Sequence, residues 1–151
     1  HDIKNGDTSN SLKISNYTAH SLICYESIFS FESLIIDKDT DFILNVSNDG
    51  WFGDNSLAPY QHLDALVMRS LENQRYSIRS TNTGISAIIT PDGTITDFIK
   101  YNERGSINKE IYARKGQTPL SKYGYDIIYF FLFTVFLYST IYFNFHSFKR
   151  S

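Results

Sequence analysis

The sequence contains very little cysteine and very little net charge, and it does not begin with methionine. Its single cysteine, Cys24, excludes an internal disulfide framework and any zinc or iron–sulfur site built from several cysteines. The formal net charge is −2, so the basic surface typical of nucleic-acid binders is missing and no nucleic-acid partner is expected. Because the chain starts at His1 and its only methionine is Met68, we expect a C-terminal piece of a longer protein.

The composition otherwise fits a folded domain. Hydrophobic residues make up 42% of the chain and charged residues 20%, proportions that exclude a disordered protein. A length of 151 residues corresponds to one globular unit or to part of one. The sequence therefore predicts a single folded domain, with one segment of different character near the C-terminus.

That segment is rich in aromatic residues and free of charge. The chain has 12 Phe, 11 Tyr and 1 Trp, and ten of these aromatic residues fall within residues 129–148. Residues 127–145 carry no charged side chain. As a helix, residues 127–145 would be about 28 Å long, close to the hydrocarbon thickness of a bilayer. We predict a transmembrane helix here; the alternative is an unusually long, fully buried core helix.

The flanking charges predict an orientation for this helix. Residues 146–151 form a short basic tail that contains Lys149 and Arg150, and positive charge beside a span favours the cytoplasmic side. The C-terminus would then be cytoplasmic. Residues 1–122 would form a domain on the opposite face of the membrane.

Residues 1–122 show the alternation typical of a layered α/β fold. Apolar runs at 21–25 and 41–46 predict buried strands, and a helix is expected after Pro59, since proline is favoured in a first helical turn. Pro91-Asp92-Gly93 predicts a hairpin with arms at 85–90 and 94–99. Further expectations are a loop over residues 1–18, a helical pattern from Ile28 to Leu34 and one more strand over residues 107–112. This order indicates an α/β fold rather than a bundle or a sandwich of two antiparallel sheets.

Cys24 is the candidate nucleophile. It ends an apolar run at the start of a predicted turn, and such a junction can present a nucleophile while backbone N–H groups face a developing oxyanion. The alternative, commoner for a lone cysteine, is a buried thiol that packs as a small hydrophobe. Glu26 could position a base or shape a pocket. His20 would lie roughly 13 Å away along the strand, so a local Cys–His pair is not expected.

A second candidate region, Ser47–Gly53, combines short polar residues, two glycines and the only tryptophan, Trp51. It follows a predicted strand, and binding clefts form at the carboxyl edge of sheets in open α/β folds. The alternative is an ordinary turn that Trp51 anchors to the core.

A third cluster consists of charged residues that we expect along the predicted helix. Arg69, Glu72 and Arg75 are spaced three apart, so that ion pairs can form on the helix surface, and Arg79 follows four residues later. We expect most of these side chains on a solvated face. His62 is expected to cap or pack.

Four ordered blocks carry a resemblance to a known family. They are Leu22-Ile23-Cys24-Tyr25-Glu26, the Ser47–Gly53 block, Pro59-x-Gln61-His62, and the run from Arg69 to Ser86. Together they resemble the carbon–nitrogen hydrolase (nitrilase) superfamily and, within it, the membrane-bound apolipoprotein N-acyltransferases. The resemblance covers about residues 21–93, and the hydrophobic C-terminal helix extends it.

The resemblance implies part of a nitrilase-like α-β-β-α sandwich followed by one transmembrane helix, with a Glu–Lys–Cys site. Cys24 matches the nucleophile, Glu26 matches a supporting glutamate beside it, and the Tyr25 backbone N–H matches an oxyanion donor. The residues expected to contact the substrate are Asn48, Trp51 and Phe52. The base glutamate and the lysine have no match in this sequence, so the chain alone is expected to be inactive. No metal or cofactor is implied.

The implied reaction is acyl transfer. The Cys24 thiolate would take a fatty acyl chain from phosphatidylethanolamine and pass it to the N-terminal diacylglyceryl-cysteine of an apolipoprotein. The partners would be the phospholipid donor, the apolipoprotein acceptor and the bacterial inner membrane, with the catalytic domain in the periplasm. Two alternatives are a membrane-tethered, nitrilase-type amidase and a non-catalytic truncated remnant.

Overall fold

The computed structural model describes residues 11–29, 37–53 and 56–148, except for the side chains of residues 144–148. The strands in this part of the chain are β1 (Ser11–Ile14), β2 (Tyr17–Ile23), β3 (Phe42–Ser47), β4 (Ser77–Thr81), β5 (Ser86–Ile89) and β6 (Ile95–Ile99). The helices are α1 (Ala58–Asn73), α2 (Pro119–Tyr123) and α3 (Asp126–Phe148), and a 3₁₀ turn covers Cys24–Ser27. These elements form one mixed sheet with α1 packed against it.

The six described strands lie side by side in the order in which they occur along the chain. Strand β3 is parallel to both β2 and β4, whereas β1 and the pair β5–β6 are added antiparallel at the two sides. Two of the parallel strands, β2 and β3, contain the apolar runs that the sequence marks as buried. Because β2, β3 and β4 run in the same direction, their carboxyl ends meet at one edge of the sheet, where the candidate residues lie.

Helix α1 covers one face of this sheet and closes the core. Pro59 stands in its first turn, where a missing N–H costs nothing. The core cluster consists of Leu22, Ile43, Leu63, Leu66, Ile85, Ala87 and Ile89. Leu63 and Leu66 place the inner stripe of α1 over the sheet, at the three-residue spacing of one helix face.

The predicted α/β class, the two buried strands, the helix after Pro59 and the hairpin around Asp92-Gly93 are confirmed. The loop expected over residues 1–18 is wrong for its second half: β1 and the start of β2 form a hairpin there, with Ser15 at a φ of 55° in the turn. Residues 1–10 lie outside the described residues. So does most of the helical pattern expected from Ile28 to Leu34, since residues 30–36 are not described.

The strand expected over residues 107–112 is not formed. This segment is attached to the sheet through side chains instead: the Lys109 ammonium lies 2.8 Å from the carboxylate of Asp97 on β6. Ile107 and Ile111 are half-buried although they do not pair with a strand. Their burial accounts for the apolar pattern that predicted a strand here.

The C-terminal part ends in the long apolar helix α3. Its segment Asp126–Phe143 has a mean hydropathy of 1.6, and none of this segment is buried within the chain. Among the described helices, it is the one long and apolar enough to cross a membrane. The alternative of a buried core helix does not fit this exposure within the chain.

Candidate active site

Cys24 follows the last residue of β2 directly and has a left-handed backbone, with a φ of 52°. For a residue other than glycine, this backbone conformation is unfavourable by roughly 1–2 kcal/mol. Such a residue keeps the conformation only where surrounding contacts hold it. The strand therefore ends in a sharp elbow that carries a half-buried thiol. This is the geometry in which a strand-to-turn junction presents a nucleophile.

The carbonyl oxygen of Cys24 is held by three side chains. His62 Nε2 lies 2.9 Å from this oxygen, Asn45 Nδ2 donates to it over 3.3 Å, and Ser27 Oγ donates over 3.3 Å. The Asn45 amide also donates to the carbonyl of Leu22 over 3.0 Å. The elbow is thus tied from below to β3 and to α1.

Asn45 and His62 contact a buried ion pair of Arg79 and Asp49; together, Asp49, His62 and Arg79 form a buried polar cluster. The Arg79 guanidinium lies 2.8 Å from Asp49 Oδ2 and 3.1 Å from His62 Nδ1, and it also contacts the amide oxygen of Asn45. Arg79 is 2% exposed and Asp49 is fully buried. Because an unpaired buried charge is costly, each of these ions depends on the other.

Electrostatics keep Asp49 ionised. Burial by itself raises the pKa of Asp49, but hydrogen bonds from His62 and Ser47, together with the charge of Arg79, outweigh burial and lower that pKa to about 2. For Arg79, burial lowers the pKa and the Asp49 charge opposes that change.

Gly84 lets the turn after β4 approach this cluster. A Cβ atom at position 84 would overlap the carboxylate of Asp49 far inside van der Waals contact. Only glycine therefore allows the Asp49 side chain to lie against this turn.

Glu26 stabilises the elbow from the other side. Its carboxylate accepts the Ile23 N–H over 2.7 Å and so caps the 3₁₀ turn that begins at Cys24. An ionised oxygen that accepts a backbone N–H makes a comparatively strong hydrogen bond. The predicted supporting position of Glu26 beside the nucleophile is compatible with this contact.

Tyr25, Trp51 and the half-buried Phe52 form a cluster beside Cys24, here called the aromatic patch. The Trp51 and Phe52 rings stack at 4.7 Å, and the Tyr25 ring lies 6.1 Å and 6.4 Å from them. Trp51 is 67% exposed, so the alternative in which it anchors a turn to the core is wrong. A group of three aromatic rings, two of them exposed, is suited to contact an apolar substrate.

Asn48 lies at the rim of this patch and holds its loop in place. Its amide oxygen accepts hydrogen bonds from the Gly50 N–H over 3.1 Å and from the Asn82 amide over 2.7 Å, and its carbonyl accepts the Trp51 indole N–H over 2.9 Å. The bond from Asn82 joins the loops after β3 and β4. The predicted contact of Asn48 with a substrate stays a prediction.

The solvated face expected for the arginines is wrong. Arg69, Arg75 and Arg79 are 6%, 3% and 2% exposed. Arg75 and Arg79 do not lie on the helix, because α1 ends at Asn73 and Gln74 adopts a left-handed conformation that redirects the chain into β4. Arg69 makes the expected ion pair with Glu72 at 2.7 Å, and burial raises the pKa of Glu72 against the opposing effect of Arg69. Arg75 donates to the carbonyls of Thr40 and Gly116 instead of pairing with Glu72.

The structure places Cys24, Tyr25, Glu26, Trp51 and Phe52 in one region, and their catalytic and substrate-binding roles stay predictions. His62 packs in the interior, as expected. The sequence analysis did not link Asn45, Asp49, His62 and Arg79 to Cys24. A usable signal was Asn45 itself, a polar residue inside an apolar strand. Among the described residues, no group of three His, Cys, Asp or Glu side chains is arranged to hold a metal ion.

Comparison with known proteins agrees with this fold. The profile of the family described as Carbon-nitrogen hydrolase matches residues 6–129, and the chain belongs to that family. Curated relatives of the chain belong to a narrower group, the apolipoprotein N-acyltransferases. The chain is 42% identical over 120 residues to the apolipoprotein N-acyltransferase of Pasteurella multocida, covering 78% of this chain and 23% of that protein.

A second relative extends the match. The apolipoprotein N-acyltransferase of Wigglesworthia glossinidia brevipalpis is 37% identical over 140 residues, which cover 91% of this chain and 28% of that protein. The chain thus spans about a quarter of the length of these two relatives.

Solved structures of the same superfamily share the fold. Nit3 of Saccharomyces cerevisiae, a nitrilase-superfamily protein, has a TM-score of 0.56 at 17% identity, covering 68% of this chain and 40% of that one. An amidase from Nesterenkonia sp. has a TM-score of 0.53 at 17% identity, covering 68% and 41%.

Proposed function

We propose that this chain carries the nucleophile of an enzyme that transfers a fatty acyl group from a phospholipid to the N-terminus of an apolipoprotein. The observation that carries the proposal is the elbow at Cys24, a left-handed cysteine held at its carbonyl by buried side chains and flanked by the aromatic patch. The names of its relatives supply the class of acceptor.

In the first half-reaction, Cys24 Sγ attacks the ester carbonyl carbon of phosphatidylethanolamine. The carbon–oxygen bond breaks, and the lysophospholipid leaves with a proton while the acyl group stays on sulfur as a thioester. The Tyr25 backbone N–H would donate to the oxyanion. The base glutamate and the lysine implied by the family resemblance match no residue of this chain and would be supplied by other sequence.

In the second half-reaction, the α-amine of a diacylglyceryl-cysteine attacks the thioester carbonyl. The carbon–sulfur bond breaks, an amide forms, and the proton lost by the amine returns the thiol to its starting state. Transfer to an amine requires that water be kept from the thioester. The aromatic patch at Cys24 would hold the acyl chain and limit access of water.

Helix α3 would place this chemistry at the lipid surface. An apolar helix of this length is suited to span the inner membrane, and the basic tail favours a cytoplasmic C-terminus with the catalytic domain in the periplasm. Both substrates are lipids or lipid-anchored, so a membrane span would bring the thiol to them.

The test is intact-mass spectrometry on the complete product of the reading frame that encodes this chain, in detergent with phosphatidylethanolamine. We expect one acyl adduct, on the peptide that contains Cys24, which disappears when a diacylated lipopeptide with a free α-amine is added. Cys24→Ala should abolish the adduct without changing the thermal unfolding temperature.

Each other outcome contradicts the proposal. An adduct that is lost only to water would support the amidase alternative, since the same thioester would then be hydrolysed. A folded protein that forms no adduct, or an adduct that persists in Cys24→Ala, would exclude Cys24 as the acyl carrier.

A further inference from the structure

We propose that Arg79 is a positioning residue for the nucleophile: through Asn45 and His62 it directs two hydrogen-bond donors onto the Cys24 carbonyl and so fixes the left-handed elbow. Arg79 does not contact the Cys24 carbonyl itself. The role in catalysis rests on the proposed function, in which Cys24 is the nucleophile, whereas the control of the elbow stands on geometry alone.

The first step concerns the orientation of the Asn45 amide. A guanidinium can only donate hydrogen bonds, so the amide atom that faces Arg79 must be the oxygen. This fixes the opposite end of the amide as the NH₂ group, which donates to the carbonyls of Leu22 and Cys24 over 3.0 Å and 3.3 Å. Without Arg79, only the two carbonyls would favour this orientation, and the Asn45 amide oxygen would lose the buried donor that holds its other end.

The second step concerns the tautomer of His62. The Cys24 carbonyl can only accept, so His62 Nε2 must carry a proton to bond to it at 2.9 Å. The other ring nitrogen, Nδ1, lies 3.1 Å from Arg79 Nη2 and 3.3 Å from Asp49 Oδ1. The Arg79–Asp49 pair therefore holds the imidazole with Nε2 turned to the Cys24 carbonyl.

The third step concerns the position of Arg79. Its Nε donates to the Ile85 carbonyl over 3.2 Å, and its Nη2 lies 2.8 Å from Asp49 Oδ2. Each guanidinium nitrogen therefore has an acceptor, in a planar fork that a lysine ammonium cannot reproduce. Arg79 meets Asp49, Asn45, His62 and the Ile85 carbonyl at once.

The consequence is a fixed elbow. The left-handed conformation of Cys24 is unfavourable by itself, so the chain would relax to an ordinary backbone conformation if its carbonyl lost these donors. Relaxation would move the thiol. A misplacement of roughly 1 Å at a reacting atom can slow a reaction by about a hundredfold.

The single cysteine offers a direct test. Labelling the 151-residue chain with [1-¹³C]cysteine places one labelled carbonyl in the molecule, on Cys24. Hydrogen bonding to a carbonyl deshields its carbon, so loss of the donors moves the signal upfield. We expect Arg79→Lys, studied in detergent micelles, to move this signal upfield or split it into several.

The matched control is Arg75→Lys. Arg75 is as buried as Arg79 and also binds backbone carbonyls, but those of Thr40 and Gly116. Its substitution should lower the thermal unfolding temperature about as much and leave the Cys24 signal in place. Equal signals in both variants and in the unsubstituted chain would overturn the proposal.

A second pair of variants keeps the test valid if Arg79→Lys does not fold. His62→Gln retains a side-chain N–H donor for the Cys24 carbonyl, whereas His62→Leu removes it. We expect the labelled signal of His62→Gln to lie between those of the unsubstituted chain and His62→Leu. A signal in His62→Leu that matches the unsubstituted chain would contradict the proposal.

The catalytic consequence is measured on the complete product of the reading frame. In Arg79→Lys the acylation rate constant at saturating phosphatidylethanolamine should fall by roughly 10- to 100-fold, with KM for the phospholipid within about twofold, since positioning affects the reacting atom and not donor binding. Arg75→Lys should retain the rate. If the unsubstituted protein forms no adduct, the proposed function fails, and the carbonyl signal still decides on Arg79.

Discussion

At the scale of single residues, the site owes its shape to polar side chains that are paired in the interior. Asn45, Asp49 and Arg79 are almost completely buried. Hydrogen bonds and an ion pair connect Asp49 through Arg79 and Asn45 to the Cys24 carbonyl. Buried polar groups stabilise a unique arrangement only when each is satisfied. Because each member of the cluster has a partner, we expect it to fix the backbone at Cys24.

Asp49 should make folding stability depend on acid pH. Its pKa in the folded chain is about 2, below its ordinary value of 3.8. Because the folded-state pKa is lowered, the stabilisation is complete above the unfolded pKa and is lost as the pH falls through the folded pKa. Denaturant titration in detergent should show an unfolding free energy that falls between about pH 4 and about pH 2.

Asp49→Asn is the variant that assigns this slope. It should be less stable near neutral pH, because Arg79 loses its buried counter-charge, and it should lack the part of the acid dependence that Asp49 causes. If unsubstituted chain and variant lose stability in parallel over this interval, the acid dependence comes from other carboxylates.

The residues that could be predicted from the sequence are those whose chemistry is local. Cys24 and Glu26 lie within one turn, and Trp51 and Phe52 are adjacent, so each pattern is visible along the chain. The burial of Arg79 was not predicted because it depends on Gln74, whose left-handed conformation ends α1 ahead of β4. No periodicity in the sequence marks that change.

At the scale of elements, α1 joins the elbow to the C-terminal part of the chain. Its first turns carry His62 to the Cys24 carbonyl. At its other end, the Glu72 carbonyl accepts the Thr118 hydroxyl over 2.6 Å. The same hydroxyl accepts the Ser121 N–H over 3.0 Å and caps α2, so one side chain connects α1 to the segment that leads into α3.

Thr118→Ala should therefore destabilise the fold. Loss of an N-cap costs about 1 kcal/mol, and the unpaired Glu72 carbonyl adds to this. Thr118→Ser keeps the hydroxyl and should be close to the unsubstituted chain in a thermal unfolding experiment in detergent. Equal unfolding temperatures for the alanine and serine variants would show that the hydroxyl contributes nothing.

Most elements with strong local signals could be predicted, and those with weak signals could not. The hairpin around Asp92-Gly93 and the helix after Pro59 have turn and capping residues that act locally. Strand β4 was not predicted because its two buried residues, Ser77 and Arg79, are polar. Strand β1 was not predicted because all four of its residues are exposed. Only pairing with neighbouring strands makes these two segments strands.

At the scale of the whole molecule, the sheet domain and α3 differ in the burial of their apolar side chains. The sheet and α1 bury apolar side chains in a shared core. The apolar side chains of α3, which are described up to Phe143, are exposed. Such a long apolar surface is stable only against lipid or another protein.

We expect α3 to hold the chain in membranes. The 151-residue chain, mixed with phospholipid vesicles, should float with them in a density gradient after washing with alkaline carbonate. A chain ending at Tyr125 should stay at the bottom, and a control lacking only residues 149–151 should float. Flotation of the chain ending at Tyr125 would assign membrane binding to the sheet domain instead.

The contact between Gly84 and Asp49 also limits how this sequence can change over generations. A descendant that gains even a methyl group at position 84 must displace the Asp49 carboxylate, and Arg79 then loses its buried partner. No single substitution at position 84 leaves that ion pair where it is. We therefore expect the effects of substitutions at positions 49, 79 and 84 to depend on one another, so that a change at one of them alters what the other two tolerate.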